Sequence, residues 1–402
     1  MEFDVLIAGA GPAGSSSALF LAKKGYNVAV FDKAKFPREK VCGDGLSGKT
    51  LKLLKELNIS ELDKNIAMFA DGVIFSSPNR EILEVEIPKE KLNEVHGYVS
   101  RREDFDNVLF NEVKKQCTAF ENAKVLDIIK DKNDHVKGLK VDINGQIKEV
   151  NANVVIGADG ANSIVATKTN AEKIVDEHVF VAVRAYYENV DGMKNKIELH
   201  FTEDVLPGYF WIFPLPNKKA NVGIGMLLSD LKKTRKDLKA LMQNEINSTF
   251  KHRFSNAKQI SEIKGWSLPL GSKRRKGYGN GYLLVGDACC LIDPFTGEGI
   301  GNALLSGKLA SIAIDEAFKK QDFSANTLKL YDELLRKHLD DELMTMYRLQ
   351  KLSRYKWLFN TLIKKANRNK ELKELITSTL IDTKNERAKL LNPFFWLKVL
   401  IS

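Results

Sequence analysis

An apolar run, Val5-Leu6-Ile7-Ala8, enters the turn Gly9-Ala10-Gly11-Pro12-Ala13-Gly14, and a helical stretch from Ser15 to Lys24 follows. Gly25 stands where such a helix is capped, and a second apolar run, Asn27 to Phe31, ends at Asp32. Strand, glycine turn, helix, strand and terminal acid in this order make the dinucleotide-binding βαβ fingerprint. Each part has a physical task. Gly9 permits the tight turn, Gly11 lets a pyrophosphate approach the backbone, and Gly14 allows close helix–strand packing. The helix start offers free N–H groups and a positive dipole end to phosphates. Asp32 is placed to accept hydrogen bonds from a ribose. The expectation is a bound nucleotide cofactor.

The later segments say what surrounds this unit. A charged loop, Lys33 to Lys40, leads into Val41-Cys42-Gly43-Asp44-Gly45-Leu46-Ser47, whose small residues suit backbone held close to something large and flat. Residues 65–98 alternate weakly and contain Pro78 and Pro88, as antiparallel strands of a different layer would. The pattern turns helical from Arg101 to Val113, and a strand is predicted over Ala123 to Ile129. Val136 to Val141 and Gln146 to Val150 read as a hairpin around Asn144-Gly145, with a separate apolar strand from Val154 into Gly157-Ala158-Asp159-Gly160. Val179 to Gly225 alternates and is rich in aromatics, as strands of a large sheet would be. Lys232 to Phe250 is predicted as a helix, Gly281 to Ala288 as a second buried strand ending in an acid, and Pro294 to Gly301 as the opening of a helix running to Lys319.

This order predicts a mixed α/β and α+β protein. A discontinuous Rossmann-type nucleotide domain (1–64, 99–165 and 276–330) is interrupted by an antiparallel-sheet substrate domain (65–98 and 166–275). A helical, basic C-terminal region (331–402) follows.

Composition narrows the setting. No apolar run approaches transmembrane length, and the first strand lacks the basic flank of a signal peptide. Cys42, Cys117, Cys289 and Cys290 form no disulfide framework, which predicts a reducing, cytoplasmic setting. The six histidines are scattered, so no metal site is expected. Lys273-Arg274-Arg275-Lys276 reads as a solvated loop, and no nucleic-acid partner is expected. The net charge of +10 gathers at one end. From Arg348 to Ser402 there are 13 Lys and Arg against 4 Asp and Glu, whereas the preceding residues hold 49 against 48.

Three stretches together resemble the flavoprotein superfamily that includes para-hydroxybenzoate hydroxylase: Gly9 to Gly14 with Asp32, Gly157 to Gly160, and Gly286-Asp287-Ala288 followed by Pro294 and Gly297-Glu298-Gly299-Ile300-Gly301. Val41 to Gly45, and Gly208-Tyr209-Phe210-Trp211-Ile212-Phe213-Pro214 with Gly223 and Gly225 after it, narrow this to the geranylgeranyl reductase family. The resemblance implies bound FAD. It puts Gly9, Gly11, Ala13 and Gly14 at the cofactor phosphates and Asp32 at the adenosine ribose. Arg102 lies near the phosphates and the Val125 backbone at the adenine. Asp287 holds the ribityl chain, and Gly299-Ile300 lie beneath the flavin pyrimidine. Cys42, Gly43 and Gly45 lie against the flavin. There are departures from the hydroxylases. Ser163 is followed by Ile164-Val165-Ala166-Thr167, with Lys168 the first basic group, and no second βαβ unit with a Gly-x-Gly-x-x-Gly turn exists for NAD(P)H. The electron donor, NAD(P)H or a small redox protein, stays open.

Cys42 is either a small buried hydrophobe or, as the resemblance implies, a reactive group beside flavin and substrate. Tyr209, Trp211 and Phe213 share one strand face, either as plain core or as the aromatic wall of a pocket for a long apolar substrate; the resemblance favours the wall. The tail, with Tyr355, Trp357, Phe359 and the terminal Pro393 to Ile401, is either a set of packed helices or an interfacial anchor on the inner face of a membrane; the concentration of charge favours the anchor. The family's chemistry is reduction of carbon–carbon double bonds in an isoprenoid or other lipid-like substrate. A flavin monooxygenase or halogenase, and a non-catalytic flavin electron carrier, are the rivals.

Overall fold

The structure, a computed structural model, describes residues 2–59, 62, 64–87 and 97–381. Its centre is the strand Glu2–Ala8, whose last four residues are buried on both faces. It pairs in parallel with Val28–Phe31 on one side and with Gln146–Gly157 on the other. Tyr282–Leu284 extends the parallel set beyond Gln146–Gly157, and Thr118–Phe120 extends it beyond Val28–Phe31. Continuous apolar runs are what a parallel sheet covered on both faces requires. The helix Pro12–Ala22 packs on Ile300–Lys320, where Ser16 Oγ donates to the Leu304 carbonyl at 2.7 Å. Fully burying each Val, Leu or Ile here contributes about 1.5–3 kcal/mol.

The Asn144-Gly145 hairpin forms as expected, with both residues in the left-handed region. Its second arm differs from the sequence expectation. Gln146–Gly157 is one strand of 12 residues, not a hairpin arm followed by a separate core strand. Its first half pairs with Val136–Ile143 at the rim, and its second half enters the parallel core. Polar residues such as Lys148 and Glu149 therefore stand exposed without breaking the strand. The expected helix from Lys232 to Phe250 is also broken. Leu228–Thr234 ends at Arg235 in the left-handed region, and Leu238–Asn247 restarts with Asp237 accepting from the amides of Lys239 and Ala240.

The second large sheet has the order Lys258–Gln259, Val179–Glu188, Lys219–Leu227, Tyr209–Leu215, Lys196–His200, Gly72–Ser76, Ile82–Glu86, with Lys264–Pro269 also pairing with Val179–Glu188. All its pairings are antiparallel except Lys196–His200 with Gly72–Ser76. A small third sheet joins Gly45–Leu46, Gly97–Ser100 and Ala67–Ala70. Strands from residues 65–98 are thus shared between two sheets. Of the tail helices Asp341–Ser353, Lys356–Ala366 and Lys370–Ile381, the last two fold back over the second sheet. Phe359, Ile363, Ala366 and Leu372 are buried in one cluster with Phe75, Leu83, Val85 and Leu199. Pro393 to Ile401 lie outside the described residues. No helix among the described residues is long and apolar enough to cross a membrane.

Candidate functional site

The first strand delivers the chain into the glycine turn, and the three glycines have different surroundings. Gly9 has φ of +99°, and a Cβ there would stand 2.5 Å from the Ala158 carbonyl oxygen. A Cβ on Gly14 would stand 1.9 Å from the Gly9 oxygen. Neither position tolerates a side chain, and the reason is the fold itself. Gly11 differs. A Cβ there would meet nothing nearer than the Arg38 guanidinium at 3.7 Å, so the space before the helix start is left for something else. Asp32 is buried, and its carboxylate accepts from the amides of Ala10 and Ala34, each at 2.9 Å. The Asp32 carbonyl accepts from Ala123 N at 2.8 Å, which sets the Ala123–Lys130 strand and buried Val125 beside it. Arg38, in the charged loop after Asp32, reaches Asp106 at 3.2 Å and Asp32 at 3.8 Å.

A single cavity of about 450 Å³ begins at this turn and runs to the tail helices. Twelve of the residues singled out from the sequence line it: Gly11, Ala13, Cys42, Gly43, Gly45, Arg102, Tyr209, Trp211, Phe213, Asp287, Gly299 and Ile300. Gly9, Gly14, Asp32 and Val125 are not among its lining residues.

The loop carrying Cys42 is held by a polar group that sequence reasoning missed. Asp44, with φ of +70° and no exposed surface, accepts from Tyr186 Oη and Asn221 Nδ2, each at 2.8 Å, and from the Arg102 amide at 3.3 Å. Burial still pushes its carboxyl up to about 6, against the pull of those donors and of Arg184 and Arg102. Asn221 also donates to the Cys42 carbonyl at 2.7 Å and accepts from Trp211 Nε1 at 2.9 Å. The loop is thereby tied to the aromatic strand. Gly43 rests on Phe213, where a Cβ would stand 3.1 Å from the ring.

Beside the loop, Arg102 forks onto Asp106 at 2.6 and 2.7 Å. Burial works against its charge, but Asp106, with the Cys42 sulfur, outweighs it and holds the guanidinium above its ordinary range. Lys40 lies 4.0 Å from the Trp266 ring centroid and donates to the Val41 carbonyl at 3.2 Å. Burial lowers its pKa to about 8, Arg102 adds to that, and Asp287 opposes it. Burial likewise raises the Asp287 carboxyl, with Lys40 and Arg102 opposing. Among the described residues no donor reaches the Asp287 carboxylate, so its hydrogen-bonding capacity faces the cavity.

Tyr209, Trp211 and Phe213 share one face of their strand, with ring centroids 6.1 and 6.2 Å apart in succession. Tyr209 Oη donates to the Thr296 carbonyl, pinning this wall to the turn before Ile300–Lys320. In that turn Asp293 accepts from the amides of Phe295 and Thr296 and is pushed up to about 6, chiefly by burial. Past the aromatic rings the lining is apolar, with Phe75, Leu83, Phe180, Leu268, Leu358 and Leu362 prominent.

Comparison with known proteins agrees with this arrangement. Residues 2–307 match the FAD binding domain family. A digeranylgeranylglycerophospholipid reductase of Picrophilus torridus is 31% identical over 84% of this chain and 85% of its own length. A menaquinone reductase of Mycobacterium tuberculosis is 30% identical over 78% of this chain and 76% of its own. The crystal structure of a geranylgeranyl bacteriochlorophyll reductase-like protein from Thermoplasma acidophilum superposes with a TM-score of 0.84 at 26% identity, covering 100% of this chain and 98% of that one.

Proposed function

The chain belongs to the FAD-dependent geranylgeranyl reductase family, and on that premise we propose that it reduces carbon–carbon double bonds in the isoprenoid chain of a lipid. The observation that carries this reading is the cavity, which joins the glycine turn and Cys42 loop to a long apolar arm behind Tyr209, Trp211 and Phe213. A polyprenyl chain matches such a lining, because burying its apolar surface is favourable and asks for no polar partner.

The residues fit FAD. The open space at Gly11, next to the amides of Ala13 and Gly14 at a helix start, suits the pyrophosphate. Asp32 suits the adenosine ribose, Val125 the adenine, and the unpartnered Asp287 carboxylate the ribityl hydroxyls. When bound and reduced, FAD supplies hydride to one carbon of a double bond, and a proton is added at its neighbour. The chain's own part is placement and dryness. Gly299 and Ile300 present the N-terminus of a 21-residue helix, which stabilises negative charge at its mouth. The Cys42 loop, fastened by Asn221, sets the distance between the flavin side and the aromatic wall. The apolar arm excludes water from the reacting carbon.

The electrons come from NAD(P)H or a small redox protein. The basic tail serves as a contact with anionic lipid at the inner face of a membrane, in a reducing compartment that keeps the four cysteines free. Anaerobic single turnover tests the reaction: reduced enzyme and a polyprenyl lipid should give product heavier by one H₂ per bond. Flavin that stays reduced with every prenyl lipid, yet hydroxylates or halogenates an aromatic once oxygen is admitted, would overturn it.

A further inference from the structure

The tail folds back over the cavity, but one corner of it faces the other way. Tyr355 is 57% and Trp357 62% exposed, and they are the aromatic members of the exposed large apolar residues among those described. They stand where the helices Asp341–Ser353 and Lys356–Ala366 meet. Leu352 and Leu358, on either side of them in sequence, line the main cavity. Within seven residues the chain alternates between cavity wall and solvent.

A second, open cavity shares Leu352 with the main one and is otherwise lined by Arg348, Lys351, Arg354 and Tyr355. Arg354 is forked onto Asp230 at 2.8 and 3.1 Å, and Lys351 lies 4.4 Å from the Tyr347 ring centroid. Arg348 makes no hydrogen bond or ion pair among the described residues. Exposed Trp and Tyr set among cations match the headgroup layer of a bilayer, where amphipathic rings settle and basic side chains meet anionic lipid. The adjoining apolar cavity gives the match a purpose. A polyprenyl lipid crosses water poorly, so its access belongs where protein touches membrane.

We propose that the corner from Arg348 to Trp357 docks on the surface of an anionic bilayer and is the portal through which a lipid substrate reaches the cavity. The proposal rests on the reading of the substrate as a lipid. It goes beyond that reading by assigning membrane contact to this corner and not to the chain's end. An acidic protein would also suit the cations, but it would leave the shared wall at Leu352 without a role.

The test uses the full chain with bound FAD and vesicles of phosphatidylcholine and phosphatidylglycerol in equal parts, brominated near the headgroups. The sequence has four tryptophans: Trp211, Trp266, Trp357 and Trp396. Tryptophan emission should be quenched on binding, and Trp357→Phe should remove most of the quenching. Quenching that survives in Trp357→Phe but vanishes in Trp396→Phe would move the contact to the chain's end and overturn the proposal. So would no quenching at all. In a variant that keeps its flavin absorbance, Arg348→Glu with Lys351→Glu should lower partition onto these vesicles by about tenfold or more. It should slow turnover of vesicle-borne prenyl lipid far more than turnover of the same lipid in detergent. Equal slowing in both forms would count against a portal. A wild type that turns over no prenyl lipid even in detergent would sink the reductase reading, while the quenching would still decide where the bilayer sits.

Discussion

The side-chain amide of Asn221 holds the carbonyl oxygen of Cys42 at 2.7 Å, across 179 residues of sequence. The same amide nitrogen donates to Asp44, and its oxygen takes the Trp211 indole N–H. One asparagine therefore fixes the Cys42 loop against the aromatic wall. Asn221→Ala strands the Cys42 carbonyl and the Trp211 N–H, each costing about 1–3 kcal/mol, while Asp44 keeps Tyr186 and the Arg102 amide. Denaturant unfolding should show a loss of about 3 kcal/mol with FAD still bound in the native state, and single turnover should slow. A stability change below experimental error would mean the loop does not depend on this residue.

The glycine turn separates structural need from ligand need. Gly14→Ala drives a methyl group into the Gly9 oxygen, so the apoprotein itself should lose about 3 kcal/mol or more. At Gly11→Val the added Cβ makes only ordinary contact with the movable Arg38 guanidinium, so apoprotein stability should hold while FAD affinity falls about tenfold or more, at 1.4 kcal/mol per decade. Thermal unfolding of both apoproteins, with FAD titration, checks the contrast. Equal destabilisation of the two apoproteins would refute it.

Asp44 and Asp293 are both pushed up to about 6 in the folded protein, against about 4 for an unfolded aspartate. Between those values the folded state binds more protons than the unfolded one, so stability falls as pH rises from about 4 to about 6. Each carboxyl accounts for about 3 kcal/mol of that fall. Asp44→Asn should remove its share, leaving a shallower slope in apoprotein unfolding free energy over this window. An unchanged slope would mean that Asp44 titrates normally.

Lys40 has the opposite character. Burial brings its pKa down to about 8, so its cation is present below that pH and lost above it. It faces Asp287 and Arg102 in the cavity, so the midpoint potential of bound FAD should fall as pH passes about 8, beyond the flavin's own slope. Lys40→Arg stays charged and should abolish this inflection with a high potential, and Lys40→Met should abolish it with a low one. Potentiometric titration across pH 7–9 checks both. An inflection that persists in both variants belongs to another group.

Where the chain is cut decides what a tail truncation reports. Ending it after Arg348 removes Phe359, Ile363 and Leu372 from the cavity wall, at about 1.5–3 kcal/mol each. That protein should aggregate or unfold early in a thermal melt. Ending it after Ile381 keeps the wall, so the melt should stay near that of the full chain. A stable, FAD-bound protein ending at Arg348 would show that the wall is dispensable.

The local units were legible in the sequence, and the long-range ones were not. Gly9 to Asp32 could be read because all its parts lie within one βαβ unit. The shared face of Tyr209, Trp211 and Phe213 followed from alternation along one strand. Asn221 carried no such signal. Its role comes from sheet register, which sets it opposite Phe213, and from a turn at Asp44 that no periodicity marks. The tail helices showed an apolar face, but helical spacing says only that a face is covered, not by what. Their packing over the second sheet needed the tertiary structure. The polar outer half of Gln146–Gly157 looks like a break in the sequence, yet it is one strand because backbone pairing with Val136–Ile143 continues regardless of side chains.

The tail side of the cavity wall is synthesised long after the glycine turn at its other end. The helix Ile300–Lys320, which packs on the helix of the glycine turn, follows that turn by nearly 300 residues, and Lys356–Ala366 comes later still. Until then the sheet face at Phe75, Leu83 and Leu199 lacks the cover that Phe359, Ile363, Ala366 and Leu372 give it. A nascent chain stalled before residue 356 presents a greasy trough, the kind of surface a chaperone grips. The segment that closes the cavity is also the one whose arrival ends that exposure.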